Sequence, residues 1–156
     1  MQSESDEIAN KKDKLVLSKE VVRALWWKQP YANAMLIGKV ETRTWCTNVR
    51  GKVLICASAK PYSVKQVDEI SGLLVPSLFD AVNPDGSLNG HAIAIGDLVD
   101  CRPMQYEDES NTYVQYREGL WCHIYENVRP IKPFKIKGAQ GWRILTDEQK
   151  AMIELL

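Results

Sequence analysis

The chain has 156 residues, 45% of them hydrophobic and 26% charged, with 20 basic and 20 acidic side chains in balance. A chain of this length is one domain's worth and buries enough apolar surface to fold without staples. The balance excludes a uniformly basic nucleic-acid coat, and the composition excludes a disordered or collagen-like chain.

Residues 1–19 carry mixed charge with no hydrophobic periodicity and are expected to be a flexible tail ahead of a single domain at 20–156. Val21–Lys28 is rich in β-branched and aromatic residues and predicts a first strand. Pro30 to Ile37 predicts a short helix, since proline suits a first turn and Gly38 can close the helix in a left-handed conformation. Glu41–Trp45 alternates like a strand, Asn48–Gly51 reads as a turn, and Lys52–Ser58 is an apolar run expected to be a buried strand. Ser63–Leu74 predicts a helix with Val64, Val67, Ile70 and Leu74 on one face.

Residues 83–90 form a Gly/Asn/Pro-rich loop. His91–Cys101 predicts a long strand with a bulge at Gly96. Residues 106–112 predict an acidic, mobile loop, and Tyr113–Tyr116 a small strand or helical turn. Leu120–Val128 is another strand, Arg129–Gly141 a Pro- and Lys-rich connection, and Trp142–Leu145 the last strand. Thr146 is placed to cap a C-terminal helix whose first turn holds Asp147 and Glu148. Short strands, few helices and long loops imply an α+β fold organised as a small mixed β-barrel.

The neutral total hides segregation. Residues 21–66 hold eight basic side chains and one acid, residues 80–126 nine acids and two arginines, and residues 127–146 five basic side chains and no acid. If the first and third blocks are neighbours, one face is basic and attracts phosphate; if the blocks interleave, they cancel. No apolar run is long enough to span a membrane, and the N-terminus lacks the apolar centre of a secretory signal, so a cytoplasmic protein is expected. Cys46, Cys56, Cys101 and Cys122 are scattered and are expected to be free thiols. With His91 and His123 as the only histidines, no spacing suits a metal, and no cofactor motif occurs.

Two clusters stand out. On a strand, Glu41, Arg43 and Trp45 share a face. Glu can accept from a base amine, Arg can fork onto a phosphate or base edge, and Trp can stack. The same residues can also be a plain salt bridge beside a core indole. The second cluster, Lys135 to Trp142, sets Lys137 and Gln140 in glycine-flanked backbone that can approach a phosphate, or is an ordinary surface loop.

The sequence resembles ASCH domains of the PUA-like superfamily. The matching pieces are Trp27-Lys28-Gln29-Pro30-Tyr31-Ala32, Glu41-Thr42-Arg43-Thr44-Trp45, Arg50 to Ser58, Glu126 to Ile131, and Lys137 to Trp142, in that order across about residues 21–145. The resemblance implies a PUA-like barrel with a cleft between the first helix and the sheet, and a nucleic-acid-binding function. It would put Lys28, Gln29, Lys39, Glu41, Arg43 and Trp45 in the cleft, Ser58 and Lys60 below it, and Lys137, Gln140 and Trp142 at its rim. The expected partner is RNA, another single strand, or a modified nucleoside, with a base stacked on Trp45 or Trp27. The alternative is a hydrolase acting on RNA or a modified nucleoside, with Lys39 and Glu41 as its acid/base pair. The family spacing G-x-K-x-x-E-x-R is compressed here to Gly38-Lys39-Val40-Glu41-Thr42-Arg43. The Lys, Thr and distant Glu of the amidohydrolase relatives are not reproduced.

Overall fold

The structure, a computed structural model, describes residues 17–72, 78–82 and 84–156. Six strands form one mixed sheet: β1 Arg23–Trp27, β2 Glu41–Arg43, β3 Gly51–Ala57, β4 His91–Pro103, β5 Trp121–Lys135 and β6 Arg143–Ile144. Their spatial order is β2-β5-β4-β3-β1-β6. β1 and β3 pair in parallel and the other neighbours antiparallel. The helices are α1 Tyr31–Ala34, extended by a 3-10 turn over Met35–Ile37, then α2 Val64–Ser71, α3 Leu78–Val82, α4 Glu109–Thr112 and α5 Asp147–Ala151.

After Arg23 in β1 and Gly51-Lys52 in β3, both strands are apolar and buried because both faces of the sheet centre are covered. Leu25, Trp27, Val53, Ile55 and Ala57 pack on one face with Tyr31, Ala34 and Met35 of the α1 segment. Ala24, Trp26, Leu54 and Cys56 point the other way, toward Leu145, Ile153, Ile131 and Phe134. The alternation is the period-two geometry of a strand. A smaller third cluster joins Met104, Leu120 and Cys122.

The sheet curls into a half-barrel; the closed or nearly closed barrel implied by the resemblance is not shown among the described residues. Its two ends meet through side chains: Arg43 Nη2 at one end donates to the Trp26 carbonyl near the other at 3.1 Å, and the Trp45 and Trp142 rings meet edge-on with centroids 5.9 Å apart. Among the described residues no ladder joins β2 to β6. This seam is where the fold leaves room for a ligand.

Several expectations meet the structure directly. Gly38 ends the first helical segment at φ 89°. Thr146 caps α5 by accepting from the Gln149 N–H, with the Gln149 side chain reaching back; Ser63 caps α2 in the same way with Gln66, a cap the sequence reading did not name. The β4–β5 register shifts between Ile95 and Asp97, which places the expected bulge at Gly96.

Others are corrected. The expected connection Arg129–Gly141 is shorter than read, because β5 runs on to Lys135 through two prolines and only residues 136–141 connect it toward β6. Proline is tolerated at edges and bulges, where no ladder N–H is needed. Pro133 falls within the irregularity between Ala92↔Phe134 and Ala94↔Pro130, and the Pro130 carbonyl faces the C-terminal segment, accepting from Leu156 N at 3.1 Å.

Residues 106–112 fold as a 3-10 turn, Tyr106–Asp108, running into α4. Asp108 is buried and takes two 2.7 Å hydrogen bonds from Arg102. Tyr113 is the left-handed residue that ends α4, not part of a strand. In α2, Val67 is buried but Val64 is exposed, while Leu74 lies outside the described residues. So does the expected tail up to residue 16; Leu17 is buried in the second cluster.

Candidate nucleic-acid interface

At the seam lies an open cleft of about 530 Å³, within the ordinary size of a small-ligand site. β1 supplies Leu25 and Trp27, α1 supplies Tyr31, the β2 segment supplies Glu41 through Trp45, and Gln140 and Gly141 close it ahead of β6. Stretches a hundred residues apart in sequence meet here because the curl brings β1, β2 and β6 to one place.

Glu41 of the lining belongs to a charge triad with Arg43 beside it and the enclosed Lys39 behind it. Lys39 Nζ donates to Glu41 Oε1 at 2.9 Å and to the Val40 carbonyl at 2.9 Å. The Thr42 N–H donates to the same Oε1 at 2.9 Å, and Arg43 Nη2 lies 3.0 Å from Oε2. Burial by itself would raise the Glu41 carboxyl, but Lys39 and Arg43 on either side hold it below the usual carboxylate range. Burial pulls the Lys39 ammonium down, against the attraction of Glu41. Lys39 Nζ also sits 5.1 Å from the centre of the Tyr31 ring.

Arg43 is fixed from three sides. It pairs with Glu41, donates to Trp26, and lays its guanidinium 5.0 Å over the Trp27 ring. About a fifth of its side chain remains exposed. Its Nε, like the Trp27 Nε1, is buried without a protein partner.

Trp45 stands beyond the end of β2. Its ring packs edge-on against His123 at 4.8 Å, and its carbonyl accepts from His123 Nε2 at 2.9 Å. That bond assigns the proton to Nε2. Burial lowers the His123 pKa, against the hydrogen bond to the Trp45 carbonyl and the nearby Glu41 carboxylate.

Of the residues expected from sequence, Lys28, Glu41, Arg43, Trp45, Ser58 and Gln140 line the cleft. Five others do not. Gln29 is buried behind the wall, its amide bonded at both ends to Asn33. Lys39 lies behind Glu41 with its side chain fully enclosed. Lys60 and Lys137 are exposed elsewhere, and Trp142 supports Trp45 from outside the lining.

Lys39 is fully enclosed, and Glu41, which does line the cleft, is paired with both Lys39 and Arg43. The glutamate–arginine pair and the indole beside it are therefore a salt bridge and a packed ring, and they also form a cleft wall.

Arg117, Tyr62, Thr42 and Thr44 also line the cleft. Arg117 sits in the acid-rich block, and nothing in its neighbourhood marks it. Tyr62 follows Pro61 in a stretch without periodicity. Thr42 and Thr44 were visible within the Glu41–Trp45 motif, but strand alternation assigns them to the opposite face.

No family model matches the chain, and no curated protein matches it by sequence. Its structure is similar to a solved one described as ASCH from Zymomonas mobilis, with a TM-score of 0.54 and 14% identity, covering 86% of this chain and 96% of that one. The likeness shows an ASCH-like α+β fold.

Proposed function

We propose that this ASCH-like fold serves to bind RNA or another single-stranded nucleic acid, with one base entering the cleft at the seam of the sheet. The observation that supports it most is the meeting of three cations, Lys28, Arg43 and Arg117, with the indoles of Trp27 and Trp45 on one open cleft. The carboxylate there is already neutralised by two cations. Stacking on an indole contributes about 1–3 kcal/mol per base with little sequence choice. Lys28 and Arg117 are exposed and suit phosphates on either side of the bound base. Fold likeness adds to this but does not by itself fix a function. The hydrolase reading has less support, since its acid and base are locked to each other.

Quenching of tryptophan fluorescence by short single-stranded RNA, measured from about 50 to 200 mM salt, tests the proposal. Affinity is expected to fall linearly on a log–log plot, with Lys28→Ala and Arg117→Ala each flattening the slope by about 0.7. Absence of salt-dependent binding would overturn it. Labelled RNA and acylated cytidines incubated with the protein are expected to return unchanged.

A further inference from the structure

We infer that His123 is a positioning residue of this cleft: it holds the indole of Trp45 where a base stacks on it. The inference rests on the nucleic-acid reading above and names the ring that takes the base and the side chain that sets that ring.

Three tryptophans border the cleft, and two of them have little ring to offer. Trp26 turns its ring to the opposite face of the sheet, among Leu145, Ile131 and Phe134. Trp27 is 2% exposed, with the Arg43 guanidinium 5.0 Å over its ring and Tyr125 edge-on at 5.9 Å. Trp45 is partly exposed. A splayed-out base needs an aromatic ring that it can reach, and Trp45 is the one that meets this requirement.

Trp45 stands two residues past the end of β2. Among the described residues, one hydrogen bond ties the backbone of Trp45 and Cys46 to the sheet, from His123 Nε2 to the Trp45 carbonyl at 2.9 Å. The same imidazole packs edge-on against the indole, with centroids 4.8 Å apart. One side chain therefore fixes both the peptide and the ring of Trp45. His123 is itself well held. It is fully buried within β5, in register with Glu41 of β2 on one side and Cys101 of β4 on the other. A group anchored on a strand keeps its geometry better than one on a loop. Trp142 adds a ring contact from the segment ahead of β6. His123 is absent from the cleft lining, so it acts on a ligand through Trp45. Without it the indole has to be ordered when the base arrives, and that ordering lowers affinity.

The test uses the full chain and a fluorescein-labelled single-stranded RNA followed by anisotropy, so that no tryptophan is the reporter. Trp45→Ala is expected to weaken binding about tenfold. His123→Phe keeps a ring against the indole but has no donor for the Trp45 carbonyl. It is expected to weaken binding about fivefold and to keep the wild-type salt slope, since no phosphate contact is lost. His123→Gln sets an amide N–H near the place of Nε2 and is expected to restore most of the affinity. In a Trp45→Ala background, His123→Phe is expected to cost nothing further. Urea unfolding establishes that each variant is folded in the assay; if His123→Phe is not, His123→Asn, whose shorter amide falls away from the carbonyl, replaces it in the same cycle. Unchanged affinity in Trp45→Ala or His123→Phe, a His123→Phe loss of equal size with and without Trp45, or failure of His123→Gln to restore binding overturns the positioning role while leaving the nucleic-acid reading intact. Absence of salt-dependent binding by the unaltered protein overturns both.

Discussion

The buried triad gives the sharpest test of how this site is held together. Glu41→Gln removes the one anion between two cations. Lys39 is then left fully enclosed, and Arg43 keeps the Trp26 carbonyl but no counter-charge. Breaking a buried pair in this way costs about 3–5 kcal/mol. Lys39→Met keeps most of the side-chain volume and leaves Glu41 with Arg43 and the Thr42 N–H. Its loss is two hydrogen bonds, to Glu41 and to the Val40 carbonyl, about 1.5–3 kcal/mol each, partly offset because no ammonium has to be desolvated. The double variant leaves no buried ammonium, so it should be no less stable than Glu41→Gln alone. Urea unfolding of the wild type and the three variants gives the cycle directly. In a chain of this length each kcal/mol moves the melting temperature by about 2–4 °C. Additive losses, or a Lys39→Met cost equal to that of Glu41→Gln, would refute the argument that the carboxylate is the keystone and the lysine its enclosed support.

Three further outcomes follow from particular contacts. Arg102 hydrogen-bonds Asp108 and holds its carboxyl at about 2, below the unfolded value of about 3.9. The resulting stability is present above about pH 4 and is lost as pH falls toward 2, so acid unfolding of Asp108→Asn should lack that part of the slope, and an unchanged profile would refute the pairing. At Gly96 an added Cβ would stand 2.9 Å from Val128 Cγ2; Gly96→Ala should cost about 1–3 kcal/mol in denaturant unfolding, with part recovered when Val128→Ala is added. Ser63→Ala removes the side-chain acceptor of the Gln66 N–H and should cost about 1 kcal/mol in the same assay, and no change would mean that the cap adds nothing to the packing of α2.

Much of the fold was legible because local chemistry and tertiary context agree. The apolar runs of β1 and β3, the cap at Thr146, the left-handed Gly38 and the bulge at Gly96 each follow from a residue's own preferences. The extension of β5 was not legible, since Pro130 and Pro133 argue against a strand unless the bulge and the C-terminal partner are known. For the site, strand alternation brought out Glu41, Arg43 and Trp45 and the glycine-flanked cluster brought out Gln140, while Lys28 and Ser58 came from the resemblance to ASCH domains. The resemblance also placed Gln29 and Lys39 in the cleft, whereas here each is buried and satisfied by a near neighbour, Asn33 or Glu41. Arg117 reaches the cleft only through the curl of the sheet, which no local pattern encodes.

The central claim is that single-stranded RNA lies in the cleft at the seam. Photo-crosslinking of an RNA containing 4-thiouridine, followed by mass spectrometry of the digested protein, tests it most directly. Crosslinks are expected in peptides carrying Trp27 and Lys28, Thr42 to Trp45, and Gln140 and Gly141, and to disappear with excess unlabelled RNA. Crosslinks confined to the acid-rich surface around Asp97, Asp100 and Glu126, or to the exposed Lys60 and Lys137, would contradict it.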